Sequence, residues 1–141
     1  MSLRWLLLCA LVALPAHAGE QRARTNYVLH CSGCHQQDGS GSAENGIPNM
    51  RGMVGHFLRL PEGRAFLVQV PGTSQSALDD AQVAELLNWM VAAVSRSEVP
   101  PDFVPYTGEE VTRWRAHRLN DAAATRMAIV ERLRSMGYVV D

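Results

Sequence analysis

The 141-residue sequence predicts an all-α fold with a C-terminal two-helix extension, and three observations carry that prediction. Val83, Leu86, Leu87, Met90 and Val94 recur at helical spacing, the mark of one buried helix face. Two capping-box patterns, Asp79 with Gln82 and Thr107 with Glu110, signal helix starts. No stretch alternates apolar and polar residues as a half-buried strand does, and no internal repeat is visible.

The chain opens with Arg4, an apolar run from Trp5 to Leu14, and Pro15-Ala16-His17-Ala18-Gly19. A basic start, about ten apolar residues and an A-x-A site describe a secretory signal peptide over residues 1–18, cleaved after Ala18. The run is too short to span a bilayer, so no stable membrane insertion is expected after cleavage. Cys9 leaves with this segment, and Leu8 stands where a lipoprotein cysteine needs a small residue. The remaining 123 residues suit one domain and keep Cys31 and Cys34 as their only cysteines. They carry 12 arginines against 14 acids and no lysine. A lysine-rich docking ring is therefore excluded. Without a basic excess or aromatic–basic interleaving, so is a nucleic-acid partner.

From Glu20 to His35 the pattern is helical, with Thr25 or Asn26 as a cap. Tyr27 stands four residues before Cys31, on the same face. Residues 36–49 are mostly turn formers and read as a solvated loop. A short helix is expected from Pro61 to a stop at Pro71-Gly72, and a longer one from Asp79 to Ser95, with Trp89 inside it. Val99-Pro100-Pro101-Asp102 reads as a linker. Beyond it, one helix runs from Thr107 to about Arg118. A second runs from Asp121 to Met136, stops at Gly137, and has Ile129, Leu133 and Met136 on one face. The expected division is 1–18, 19–98, and an extension over 99–141 packed on the preceding domain.

The chemistry lies in Cys31-Ser32-Gly33-Cys34-His35. C-x-x-C-H is the attachment signature of a c-type haem. Two thiols add to the vinyl groups of the porphyrin, and an imidazole must reach the iron. Positions i, i+3 and i+4 share one helical face, so Cys31, Cys34 and His35 can address one macrocycle, with His35 as proximal ligand. A dithiol redox motif would sit in a βαβ context that is missing here. A structural zinc site wants four ligands, and no second cysteine pair exists. A chance match is the third alternative, and the flanking residues argue against it.

Residues 27–94 resemble a class I cytochrome c. Tyr27 and Trp89 stand where that family carries contacting aromatics on its crossing first and last helices. Gln37-Asp38-Gly39-Ser40-Gly41 is similar to the family's D-G-x-G stretch. Pro48-Asn49-Met50-Arg51-Gly52-Met53-Val54-Gly55-His56 is similar to its P-N-L-x-G-x-x-G-R segment. The resemblance implies a cytochrome c-like helical fold around one covalently bound haem c. It also implies that the Pro48 carbonyl accepts from Nδ1 of the proximal His35, fixing its tautomer, and that His56 stands near a haem propionate. The family's sixth ligand, a methionine in the loop before the last helix, has no counterpart in Val70–Ser76, where no Met, His or Lys occurs. Met50, Met53 and Met90 are expected to pack the core, and Met53 is the substitute ligand if a methionine binds the iron. His30 and His117 are expected at the surface. The charged residues of the extension, Glu109, Glu110, Arg113, Arg115 and Arg118 among them, are expected to form a solvated face or a docking surface.

The expected function is electron transfer by Fe(III)/Fe(II) cycling in a periplasmic monohaem cytochrome. It would act as a carrier or as a redox subunit of an oxidoreductase, with a dehydrogenase or terminal acceptor as partner and no catalytic residues of its own. The alternative is a haem protein with an open distal position that binds a small ligand or reacts with peroxide.

Overall fold

The computed structural model describes residues 14–141; most of the expected signal peptide's apolar run and its basic start lie outside the described residues. The described residues form eight helices, in order: α1 (Leu14–His30), α2 (Ser32–His35), α3 (Val54–Phe57), α4 (Pro61–Gln69), α5 (Pro71–Ser74), α6 (Asp80–Val94), α7 (Gly108–Arg115) and α8 (Ala122–Ser135). Short 3-10 turns occupy Ala43–Asn45 and Arg96–Glu98. Among the described residues the only β-type pairing is an isolated bridge between Ser42 and Ile47. The fold is all-α, as the periodicity predicts.

Local chemistry explains most boundaries. Asp79 caps α6 in a complete capping box: its carboxylate accepts from the Gln82 amide at 2.8 Å, and the Gln82 side chain accepts from the Asp79 amide at 3.0 Å. Asp121 caps α8 by accepting from the Ala124 amide, and Gly137, at φ 92°, ends the last helix where a side chain would be strained. The second box is only half formed. Thr107 accepts from the Glu110 amide, but the Glu110 carboxylate is taken by Arg64 across the fold.

Four expectations are corrected here. Thr25 and Asn26 cap nothing, because α1 begins at Leu14 and runs past both. Thr25 instead donates to the Gln21 carbonyl one turn back, and Asn26 is buried. Pro71 ends α4 but also starts α5, since a proline at the first helical position loses no hydrogen bond. The helix after Thr107 stops at Arg115 rather than Arg118. Met136 is half exposed and does not join Ile129 and Leu133, which are fully buried. The single-turn α3 carries no sequence signal long enough to reveal it.

The core is one continuous cluster, centred where α1 packs on α6 and α6 on α7. Tyr106, Val111, Ile129, Leu133 and Val140 of the extension belong to that cluster together with Phe57, Phe66, Leu87 and Val91. Each fully buried aliphatic side chain of this kind contributes about 1.5–3 kcal/mol. The 99–141 segment therefore shares its buried surface with the rest of the chain.

Candidate functional site

Helix α1 ends at His30. Cys31 leaves helical geometry (φ −123°, ψ −39°), and α2 adds one turn. The amides of Cys34 and His35 both donate to the Cys31 carbonyl, at 3.2 and 2.9 Å, which puts the two cysteines and the histidine on one turn. Both thiols are free, Cys34 exposed and Cys31 half-buried. Burial, with Cys34 beside it, pushes the Cys31 thiol up to about 11. Redox-active cysteines are tuned the other way, toward the thiolate. Among the described residues, no three His, Cys, Asp or Glu side chains come together to hold a metal ion, which disfavours zinc.

His35 is half-buried, and its Nδ1 is fully shielded from solvent. Burial lowers its pKa, while the Pro48 carbonyl acts in the opposite direction. That carbonyl lies near the ring, and Nδ1 makes no full hydrogen bond within the protein. Gly41 allows the approach. It sits at φ 69°, and a Cβ there would stand 2.5 Å from the carbonyl oxygens of both Ile47 and Pro48. Its amide donates to the His35 carbonyl at 3.0 Å. The D-G-x-G stretch thereby brings the proline segment against the histidine.

Tyr27 is almost completely buried, and its ring lies 5.5 Å from that of Trp89, tilted by 56°. The expected aromatic contact between α1 and α6 is present. Sequence reasoning missed the next feature. The Tyr27 hydroxyl donates to the carbonyl of Gln36 at 2.8 Å, and Gln36 adopts φ 64°, ψ 167°, a region that glycine alone occupies freely.

The donor set fits a haem c: two free thiols one turn apart, one exposed, and a half-buried imidazole on the same turn. Of the other expected residues, Met50 and Met90 are buried, whereas Met53 packs against the core only in part. His56 belongs to α3. Its ring packs 5.1 Å from Tyr138 of the extension, and Arg59 covers the same tyrosine at 4.6 Å. Burial, then Arg59, lowers the His56 pKa against the pull of Glu98. His30 and His117 are exposed.

The loop before α6 also holds a surprise. Arg115, expected on a solvated face, is half-buried. Its guanidinium donates to the carbonyls of Ser74, Ser76 and Leu78 at 2.9–3.2 Å and to the Asp80 carboxylate at 2.7 Å. Arg64 and Glu110 form a two-pronged ion pair at 2.6 and 2.7 Å that ties α4 to α7. Arginines that cap backbone carbonyls leave no periodic trace in a sequence. No helix among the described residues is long and apolar enough to cross a membrane.

No protein-family model matches the chain. It is 31% identical over 107 residues to a cytochrome c-552 of Thermus thermophilus, a match covering 63% of this chain and 81% of that protein. It is 29% identical over 130 residues to a second cytochrome c-552 of the same species, covering 79% of this chain and 87% of that protein. The longer match is too extensive to be confined to residues 1–98, so part of the 99–141 segment is shared with that relative.

Proposed function

Because the chain belongs to the monohaem c-type cytochromes, we propose that it is a periplasmic electron carrier or redox subunit that holds its haem through Cys31, Cys34 and His35. Cytochromes c transfer electrons and are not enzymes, and the haem c of the family supplies one-electron Fe(III)/Fe(II) cycling when bound. The chain's own contribution is attachment, ligation and burial, the terms that set a haem potential. Cys31 and Cys34 supply the thioethers. His35 supplies the imidazole, which the Pro48 carbonyl orients through Nδ1. A dehydrogenase or terminal acceptor is the partner, met through arginines because the chain has no lysine.

The observation that carries this reading is the single turn on which both free thiols and the half-buried imidazole stand. Its test is the exported full-length protein and its Cys31→Ala/Cys34→Ala variant. Wild type is expected to keep its haem through denaturing extraction, and the variant to lose it. Covalent haem in the variant would refute the assignment.

A second reading concerns the distal side. The loop that would carry a sixth ligand contains none, and Met50 and Met90 are buried in the core. A haem held by His35 would then have no protein ligand from this loop, and the holoprotein is expected to be at least partly high-spin and to bind cyanide or carbon monoxide readily. Met53, only partly buried, is the competing ligand. A sulfur-to-ferric charge-transfer band present in wild type and gone in Met53→Leu would defeat the open-site reading and identify Met53. A low-spin bis-histidine spectrum would defeat both.

A further inference from the structure

We infer that Tyr27 is a positioning residue for the axial histidine: its hydroxyl latches a strained peptide at Gln36 and so fixes the backbone that aims His35. The inference rests on the reading of His35 as the iron ligand and goes beyond it to a residue four positions before the motif.

Gln36 follows His35 directly and sits at φ 64°, ψ 167°. It is the only residue other than glycine with a positive φ among the described residues. A side chain in that region is strained, and the conformation persists only where the surroundings over-determine it. Here they do. The carbonyl of His35 accepts from the Gly41 amide at 3.0 Å. The carbonyl of Gln36 accepts from the Tyr27 hydroxyl at 2.8 Å and, more weakly, from the Gly39 amide at 3.4 Å. The peptide planes on both sides of Gln36 are therefore clamped, one by the glycine loop and one by the tyrosine. Tyr27 cannot yield, because its ring is 1% exposed and wedged against Trp89.

Relaxation of Gln36 would rotate the peptide it shares with His35, and with it the direction of the imidazole. The aromatic contact between α1 and α6 would need only a ring. The hydroxyl does something further, connecting that helix crossing to the residue next to the iron ligand.

The test uses holoprotein in five forms: wild type, Tyr27→Phe, Gln36→Gly, those two combined, and Tyr106→Phe. Ring-proton resonances of His35 are read in the ferrous, carbon monoxide-saturated state, and thermal midpoints are read alongside. Tyr27→Phe is expected to shift or broaden the His35 signals. Gln36→Gly in that background is expected to restore them, because glycine holds the same backbone without the latch. Tyr106→Phe is the control. It also removes a buried hydroxyl from a backbone carbonyl, at 2.9 Å, but that carbonyl belongs to Arg64, and its His35 signals are expected to match wild type.

Unmoved His35 signals in Tyr27→Phe, or a double variant no better than the single one, would overturn the inference. If Tyr27→Phe yields no holoprotein, Gln36→Gly alone decides. Relief of strain is expected to raise its thermal midpoint, and a lowered midpoint would show that Gln36 stores none. Absence of covalent haem from wild type would instead remove the His35 reading beneath the inference, so the two failures are distinguishable.

Discussion

Tyr106 tests whether residues 99–141 share the fold of the haem-bearing part or merely lie on it. The side chain is 4% exposed. Its hydroxyl donates to the Arg64 carbonyl of α4, and its own amide and carbonyl are both clasped by Asn88 of α6, at 2.7 and 3.0 Å. The Arg64 guanidinium lies 4.1 Å over the ring, and Phe103 meets it edge-on. Tyr106→Phe removes one buried hydrogen bond, worth about 1 kcal/mol. Tyr106→Ala also removes the ring and leaves a cavity between two helices, a loss of about 3–5 kcal/mol. In a domain of this length that lowers the thermal midpoint by roughly 10–20 °C. Unfolding of holoprotein followed by haem absorbance and by tryptophan fluorescence checks it, since Trp89 reports on α6 and Trp114 on α7. Both probes should fall together at the lower midpoint. If the alanine variant leaves the haem transition at its wild-type position while the fluorescence transition splits away, the extension is a separate unit and the reasoning is wrong.

Asp80 gives a pH signature. Hydrogen bonds from Thr112 and then Arg115 hold its carboxylate below the ordinary value of 3.8. A depressed folded pKa adds stability that is fully present above the unfolded value and is lost as pH falls through the folded one. Asp80→Asn should therefore flatten the acid limb of stability below about pH 4, read by melts in a buffer series; an unchanged acid limb would show that the carboxylate contributes nothing there. Gly41→Ala places a Cβ into the Ile47 and Pro48 carbonyls at a left-handed backbone position. A loss of about 2–4 kcal/mol is expected, together with disturbed His35 resonances. A variant as stable as wild type would mean that the close approach of Pro48 is not needed.

The sequence made legible whatever has a period or a local pattern. Helix α6 can be read from Val83 to Val94 because its apolar face and its cap at Asp79 are both local. The placing of Cys31, Cys34 and His35 on one turn can be read because their spacing is that of one helical face. What stays hidden depends on contacts distant in sequence or on backbone angles. Glu110 looks like a capping partner until Arg64, 46 residues away, is seen to take its carboxylate. Arg115 looks solvated because nothing in α7 reveals the carbonyls it meets. Gln36 looks like an ordinary loop residue, since its strain is a property of φ and ψ that its type gives no reason to expect. The packing of His56 on Tyr138 stays hidden in the same way, because the two lie far apart in the sequence.

Arg115 also bears on the order in which the molecule is assembled. The loop it captures lies 35 to 41 residues upstream of it, and a chain emerging from its N-terminus presents Cys31 to His35 long before α7 exists. Contacts so separated in sequence form late, because the intervening loop must close first. Residues 74–80 therefore receive their shape only after the attachment motif has been made and become accessible. Arg115→Gln is accordingly expected to leave covalent haem in place while opening 74–80 to proteolysis, yielding a mature cofactor in an unfinished protein.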